Sequence, residues 1–324
     1  MKPTLILVVA FLVSMITVQA QVIYVKPNAQ GDGTSWENAT GNLQKALQSA
    51  TEGTQVWVAA GTYTPTMGTD RTVSFELPSG VAIYGGFQGT ETSLDQRNIE
   101  QNPTILSGEI GQPGPVDNSY NVVFISNSDE NTIIDGFVIT GGNANAEAME
   151  GVRTRSGGGM YIAGGSAKPQ IVNCTFTKNQ ARDGAAVYLN GRTGECSPKF
   201  LSCVFKENEA GLDGGAVYND GRKNGLSNPV FVACEFYRNV GTYGGAICNA
   251  SDTGVCNLTL EGCTFVENVA FLRGGALFSL NGDEKCYLEL ADCNFNGNYP
   301  DDQNMVFVSG SARAEAYAVE KSTP

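Results

Sequence analysis

CTFTKN at 174–179, CVFKEN at 203–208, CEFYRN at 234–239, CTFVEN at 263–268 and CNFNGN at 293–298 are five copies of one phrase. Each sets a Cys, a Phe two residues on and an Asn three after that, and the copies recur at spacings of 29, 31, 29 and 30 residues. The aligned positions are Cys174, Cys203, Cys234, Cys263 and Cys293; Phe176, Phe205, Phe236, Phe265 and Phe295; Asn179, Asn208, Asn239, Asn268 and Asn298. Behind the first four copies stand Gly184-Ala185-Ala186-Val187, Gly214-Gly215-Ala216-Val217, Gly244-Gly245-Ala246-Ile247 and Gly274-Gly275-Ala276-Leu277. A fixed period near thirty residues means one supersecondary unit stacked on copies of itself. The expected fold is all-β: a single-stranded right-handed parallel β-helix, or solenoid, with a short N-terminal capping helix.

Within a repeat, Cys and Phe share parity and face the lumen. The residue three before each Cys is also apolar: Ile171, Phe200, Phe231, Leu260 and Leu290. Alternation is restored if the chain bends sharply at the intervening Asn173, Ser202, Ala233, Gly262 and Asp292. Asn, Asp and Gly tolerate the left-handed conformation of such a bend, and Ala233 fits it least. The Asn column is expected to hydrogen-bond amide on amide down the stack. That reads as structural rather than as a binding site. Lys178, Glu207, Arg238 and Glu267 alternate in sign just before the Asn, and an ion ladder is expected there.

Working outward, Ile134-Asp135-Gly136-Phe137-Val138-Ile139 superimposes on the repeats, with Phe137 in the Cys place and Ile139 in the Phe place. Strands are expected at Val22–Val25, Val81–Tyr84, Thr104–Leu106, Val122–Ile125 and Thr132–Ile134, a strand and turn over Val56–Tyr63, and one more strand at Met305–Val308. Apolar residues at Leu43, Ala46, Leu47 and Ala50 have helical spacing and are stopped by Glu52-Gly53. Such a helix suits the first coil, whose sheet edge and lumen lie open. Segment 143–156 lacks an apolar pattern and is expected to loop outward. The resulting division is a leader at 1–20, a β-helix at 21–308 (cap 21–53, Cys/Phe/Asn repeats 168–298) and a mobile tail at 309–324.

The leader has Lys2, an apolar run from Leu5 to Val13, and Val18-Gln19-Ala20 as a small-x-Ala cleavage site, so cleavage is expected after Ala20. That run is short for a membrane span, and none is expected in the mature chain. Export places the protein outside the cell, on its surface, at the outer membrane or in the periplasm. The 324 residues carry 20 basic and 33 acidic groups, formally −13, and −14 once Lys2 leaves. That balance excludes a nucleic-acid partner, which needs clustered Lys and Arg. Nine cysteines in an exported chain suggest disulfides. In-register stacking, however, gives the column thiols a poor approach for bridging, and they read as reduced apolar fillers. Cys196, Cys248, Cys256 and Cys286 are the better bridge candidates.

The Gly-Gly-Ala and Phe-x-x-Asn pairs, as in Gly274–Leu277 and Phe265-Val266-Glu267-Asn268, resemble the repeats of chlamydial polymorphic outer-membrane proteins. Leu43–Leu47, Trp57–Tyr63, Ile83-Tyr84-Gly85-Gly86-Phe87 and Ile134–Phe137 are similar to secreted pectin-lyase-like β-helix proteins of Bacteroidetes type. The resemblance implies a bacterial secreted or surface β-helix. Its chlamydial relatives are often adhesive, and lyases of the fold commonly use aspartate-bound Ca²⁺ and a basic residue.

Chemistry is sparse. There is no His, which rules out Ser-His-Asp and Cys-His sets. Asp32-Gly33, Asp129-Glu130 and Asp283-Glu284 are isolated, turn-like acids rather than a Ca²⁺ loop. Asp301-Asp302 lies past the repeats. Asp183 and Asp213 are equivalent, with Thr242 and Leu272 following in the same column, and read as an exposed acidic pair on solvated turns. Tyr188, Tyr218, Tyr237 and Tyr243, if exposed on one face, would favour sugar contact. No catalytic residue, cofactor or metal is implied. The residues favour a non-catalytic β-helix for adhesion, surface interaction or glycan contact, its partner a polysaccharide or a host or neighbouring cell surface. The alternatives are a polysaccharide lyase or glycoside hydrolase, with a groove where segment 143–156 leaves the stack, and a structural envelope component.

Overall fold

The computed structural model describes residues 21–147, 149–280, 286–301 and 307–308. The signal-cleavage residue Ala20 and the segment 309–324 lie outside them. The chain winds into a right-handed parallel β-helix of about 9 turns. Three long sheets run along it. A nine-stranded sheet starts at Val22–Val25, passes through Gln170–Val172, Lys199–Leu201 and Val230–Val232, and ends at Leu288–Ala291. An eight-stranded sheet runs from Gly61–Tyr63 through the Phe strands to Asn294–Asn296. A second eight-stranded sheet carries Met160–Ala163, Val187–Asn190, Val217–Asp220, Ile247–Ala250 and Leu277–Leu280. Sheets of five and four short strands close two corners.

Parallel register makes equal sequence positions neighbours. Phe176 pairs Phe205, Phe205 pairs Phe236, Phe236 pairs Phe265 and Phe265 pairs Phe295. Their rings stack at centroid distances of 4.7–5.0 Å. Phe200 and Phe231 stack beside them at 4.6 Å and meet the first column edge to face. The lumen is therefore filled by columns of like side chains. The Cys column lies within it, each thiol donating to a carbonyl of the preceding coil: Cys203 to Ile171 at 3.4 Å, Cys234 to Phe200 at 3.5 Å. Burial pushes the Cys174 thiol up to about 12, so it stays neutral and inert. Among the described residues no disulfide forms at any of the nine cysteines, including Cys196, Cys248, Cys256 and Cys286.

The Asn column carries the corner. Asn208 Nδ2 donates to Asn239 Oδ1 at 2.9 Å and to Phe176 O at 3.0 Å, and Asn208 N–H donates to the same Asn239 Oδ1 at 3.2 Å. The pattern repeats from Asn179 to Asn298. A one-coil amide spacing thus satisfies the turn groups that the strands leave unpaired.

The bend residues adopt positive φ: Asn173 49°, Ser202 52°, Ala233 51°, Gly262 60° and Asp292 52°. Ala233 bears a Cβ penalty of about 1–2 kcal/mol there. At the equivalent Gly262 an added Cβ meets nothing closer than 4.0 Å, so the cost is conformational rather than steric. Ala233→Gly is expected to raise stability by roughly 0.5–1 kcal/mol, the strain relieved less the extra unfolded-chain entropy of Gly. A lower urea midpoint for the variant would contradict this.

The alternating charges sit at a second left-handed position: Lys178 54°, Glu207 56°, Arg238 49° and Glu267 53°. Among the described residues one rung closes, Arg238 Nε to Glu267 Oε2 at 2.6 Å. The expected four-membered ladder is thereby corrected to a single exposed pair on a turn.

The helix, α1, spans Leu43–Ser49 and stops short of the Glu52-Gly53 signal. Asn42 caps it, its Oδ1 accepting from Lys45 N at 2.9 Å. Leu43, Ala46 and Leu47 are buried over the first coil. At the other end, Phe307–Val308 adds a strand beside Ser279 and Leu280; Met305 and Val306 lie outside the described residues. No helix among the described residues is long and apolar enough to cross a membrane.

Candidate functional site

Outward residues of the sheet bearing Val187–Asn190 form two columns. One is Phe124, Tyr161, Tyr188, Tyr218, Cys248 and Phe278. Beside it run Asn190, Asp220 and Ala250. Strand parity alone makes this face look solvated, but it is covered. Tyr188 and Tyr218 are buried, as is Tyr243, while Tyr237 lies partly exposed on a different sheet. The expectation of one exposed tyrosine face is thus overturned. Tyr161, Tyr188 and Tyr218 stack on one another at 5.4 and 5.3 Å, so their faces are occupied.

Cover comes from residues 149–156, which, with 143–147, lie back on the stack instead of looping outward. Tyr161 Oη donates to Gly151 O at 2.7 Å, and Arg192 Nη1 donates to Glu150 O at 2.9 Å. Arg222 Nη1 reaches Glu150 Oε1 at 2.7 Å. Arg153 crosses to earlier coils, donating to Thr72 O and Ser74 Oγ at 2.9 Å each. Arg71 ties loops together from the other side, at 2.7 Å to both Asn118 O and Asn145 Oδ1. Polar cross-bracing therefore does what an apolar pattern would do in an ordinary packed loop, and this explains why hydropathy gave no sign of it.

Between this segment and the corner of the stack lies an open groove of about 810 Å³. Ala146, Met149, Ala181, Gly211 and Leu212 are among its apolar and small lining residues, and Asn145, Gln180, Arg155, Arg182 and Glu147 supply polar groups. The groove lies along the corner where Gln180–Ala181 and Glu209–Ala210 pair in register.

Asp183 and Asp213 are buried rather than exposed on solvated turns. Their column continues through Tyr243 and Arg273, not Thr242 and Leu272: Asp213 bridges Tyr243, and Tyr243 pairs Arg273. The residue preceding each left-handed Gly184, Gly214, Gly244 and Gly274 defines it, which displaces the assumed column by one. Asp183 Oδ2 accepts from Arg182 Nη1 at 2.8 Å. Burial nevertheless outweighs the Arg182 charge, and with the Glu150 charge it lifts the Asp183 carboxyl to about 6.

Because the folded chain binds this proton more tightly than the unfolded one, the group stabilises most below about pH 4, and the benefit is lost as pH rises toward 6. Asp183→Asn is therefore expected to gain about 2–3 kcal/mol at pH 7 and almost nothing at pH 4, at 1.36 kcal/mol per unit. Urea titrations of both proteins at the two pH values decide it, and a gain independent of pH would refute the assignment.

Asp32 and Asp129 serve their own turns, accepting from Thr34 N–H and Asn131 N–H at 3.1 Å each. Asp283-Glu284 and Asp302 lie outside the described residues. Among the described residues no three His, Cys, Asp or Glu gather to hold a metal ion. Glu150, Arg192, Asp220 and Arg222 escaped the sequence reading. A signal existed for three of them: Asn190-Gly191-Arg192 and Asp220-Gly221-Arg222 repeat 30 residues apart.

A family model described as "Protein of unknown function (DUF1565)" matches residues 28–235. No curated protein matches the chain. Among solved structures, the crystal structure of pectate lyase Pel9A is similar at 12% identity and a TM-score of 0.39, covering 85% of this chain and 79% of that one.

Proposed function

The chain belongs to DUF1565, a family of proteins of unknown function, and from that premise we propose that it is an exported, non-catalytic β-helix that contacts a glycan through its groove. The lining of that groove carries the reading. Its small and aliphatic lining residues, Ala146, Ala181, Gly211 and Leu212, offer apolar surface, and Asn145, Gln180, Arg155 and Arg182 offer amide and guanidinium groups beside it. Sugar rings present that same combination of apolar faces and polar edges. The groove is open, as an extended chain of sugars requires.

The same lining weighs against hydrolysis. Two facing carboxylates roughly 5–9.5 Å apart are needed. Among the described residues Glu147 is the carboxylate on the groove, while Asp183 is buried outside its lining. Export and surface placement rest on the leader at 1–20. The partner proposed is a polysaccharide or a glycan of a neighbouring or host cell surface.

The test is a glycan array run beside product detection on uronic-acid polymers. Binding without products is expected, and Leu212→Arg, which fills part of the groove, is expected to abolish it. Product formation with turnover overturns the non-catalytic reading, and retention of binding by Leu212→Arg removes the groove from it.

A further inference from the structure

Arg192 and Arg222 stand at one place in successive coils, each two residues past its outer strand. Parallel stacking sets such positions about 4.8 Å apart. Both side chains are sunk, 10% and 9% exposed. One anion is built in between them. Asp220, with 0% of its side chain exposed, lies 2.6 Å from Arg192 Nε and 2.9 Å from Arg222 Nε. Arg222 Nη2 also reaches Asp220 Oδ2 at 2.9 Å, and Tyr188 Oη donates to the same oxygen.

Two cations against one anion leave a positive charge in a place water reaches poorly. A buried charge is strongly unfavourable until it is paired. Glu150 pairs it, Oε1 at 2.7 Å from Arg222 Nη1 and Oε2 at 3.6 Å from Arg192 Nη2. Burial opposes ionisation of Glu150, but the Arg222 and Arg192 charges hold its carboxyl below the ordinary range. The segment around Glu150 brings little apolar packing: Met149 is 80% exposed and Val152 36%. What the two arginines demand is a carboxylate rather than this particular loop.

We propose that Arg192, Asp220 and Arg222 form a carboxylate-binding site on the outer face of the β-helix, with Glu150 as its resident occupant. The guanidinium forks match a carboxylate's geometry. Asp220 orients them and, being fully enclosed, does not exchange. When Glu150 is withdrawn, the site takes a carboxylate from a separate molecule. In the intact protein the tethered Glu150 outcompetes dilute free carboxylates through its high effective concentration. The site is separate from the groove, and the inference stands whether or not the groove holds a glycan.

Thermal unfolding of the full chain tests it, with Glu150→Ala in a few hundred millimolar sodium acetate against sodium chloride at equal ionic strength. The variant's midpoint is expected to rise in acetate by about 3–6 °C over chloride, the size of a weak ligand at saturating concentration. Acetamide, a neutral isostere, is expected to give no rise. The wild type and Glu150→Gln, whose side chains still fill the space, are expected to show no acetate-specific shift. Absence of the acetate rise in Glu150→Ala overturns the proposal. So does an equal rise with acetamide, in the wild type or in Glu150→Gln.

Discussion

Asn239→Ala is expected to lower the unfolding free energy by about 3–6 kcal/mol, two or three orphaned polar groups at roughly 1–3 kcal/mol each. The Asn239 amide is fully buried and fully used. Its Oδ1 accepts from Asn208 N–H at 3.2 Å and from Asn208 Nδ2 at 2.9 Å. Its Nδ2 donates to Phe205 O at 2.8 Å and to Asn268 Oδ1 at 2.9 Å. Truncation leaves these partners enclosed at a corner that bulk solvent does not touch. Asn239→Asp sharpens the test. It keeps the size and the acceptor but puts a carboxylate against Asn268 Oδ1 and Phe205 O, both acceptors. Its loss should therefore be severe at pH 7 and smaller near pH 4, where a protonated carboxyl again donates one bond. Denaturant titrations read both effects. A loss below about 1 kcal/mol for Asn239→Ala would show that the amide column is dispensable.

Phe236→Ala carries the second large loss, about 3–5 kcal/mol for a fully enclosed Phe. Phe236 lies between Phe205 and Phe265, each 4.7 Å away, and its edge meets Phe231 at 5.8 Å. In a stack each coil touches its neighbours alone, so a cavity here weakens two interfaces at once. Arg238, two residues along, supplies the contrast. Its ion pair with Glu267 is exposed, 67% and 54%, and such pairs are screened and mobile. Arg238→Ala is expected to shift the urea midpoint by less than the titration resolves. Equal losses in the two variants would mean that the exposed rung, rather than the lumenal column, holds the register.

How much was legible follows from particular residues. Asn173, Gly262 and Asp292 announced a left-handed bend through their own chemistry, and Ser202 and Ala233 were placed correctly by their repeat position. Asp183 and Asp213 were aligned correctly but misread as solvated, because a turn residue's burial depends on what packs over the turn; the rest of their column was misread because the left-handed glycines set its frame. A 29-residue step from Asp213 leads to Thr242, whereas the column takes two steps of 30, to Tyr243 and then to Arg273. Tyr188 and Tyr218 were misread for another reason. Parity tells which side of a sheet a residue faces, but not what lies over that side.

The amino-acid sequence by itself determined the winding and its columns. A side-by-side parallel stack turns equal positions into neighbours, so a period near thirty residues already states who touches whom. Only the tertiary structure decided the outer surface. The contact between Glu150 and Arg222 joins residues 72 apart through a segment outside the repeat. Charges on such a surface pair by position in space, and no period along the chain records that position.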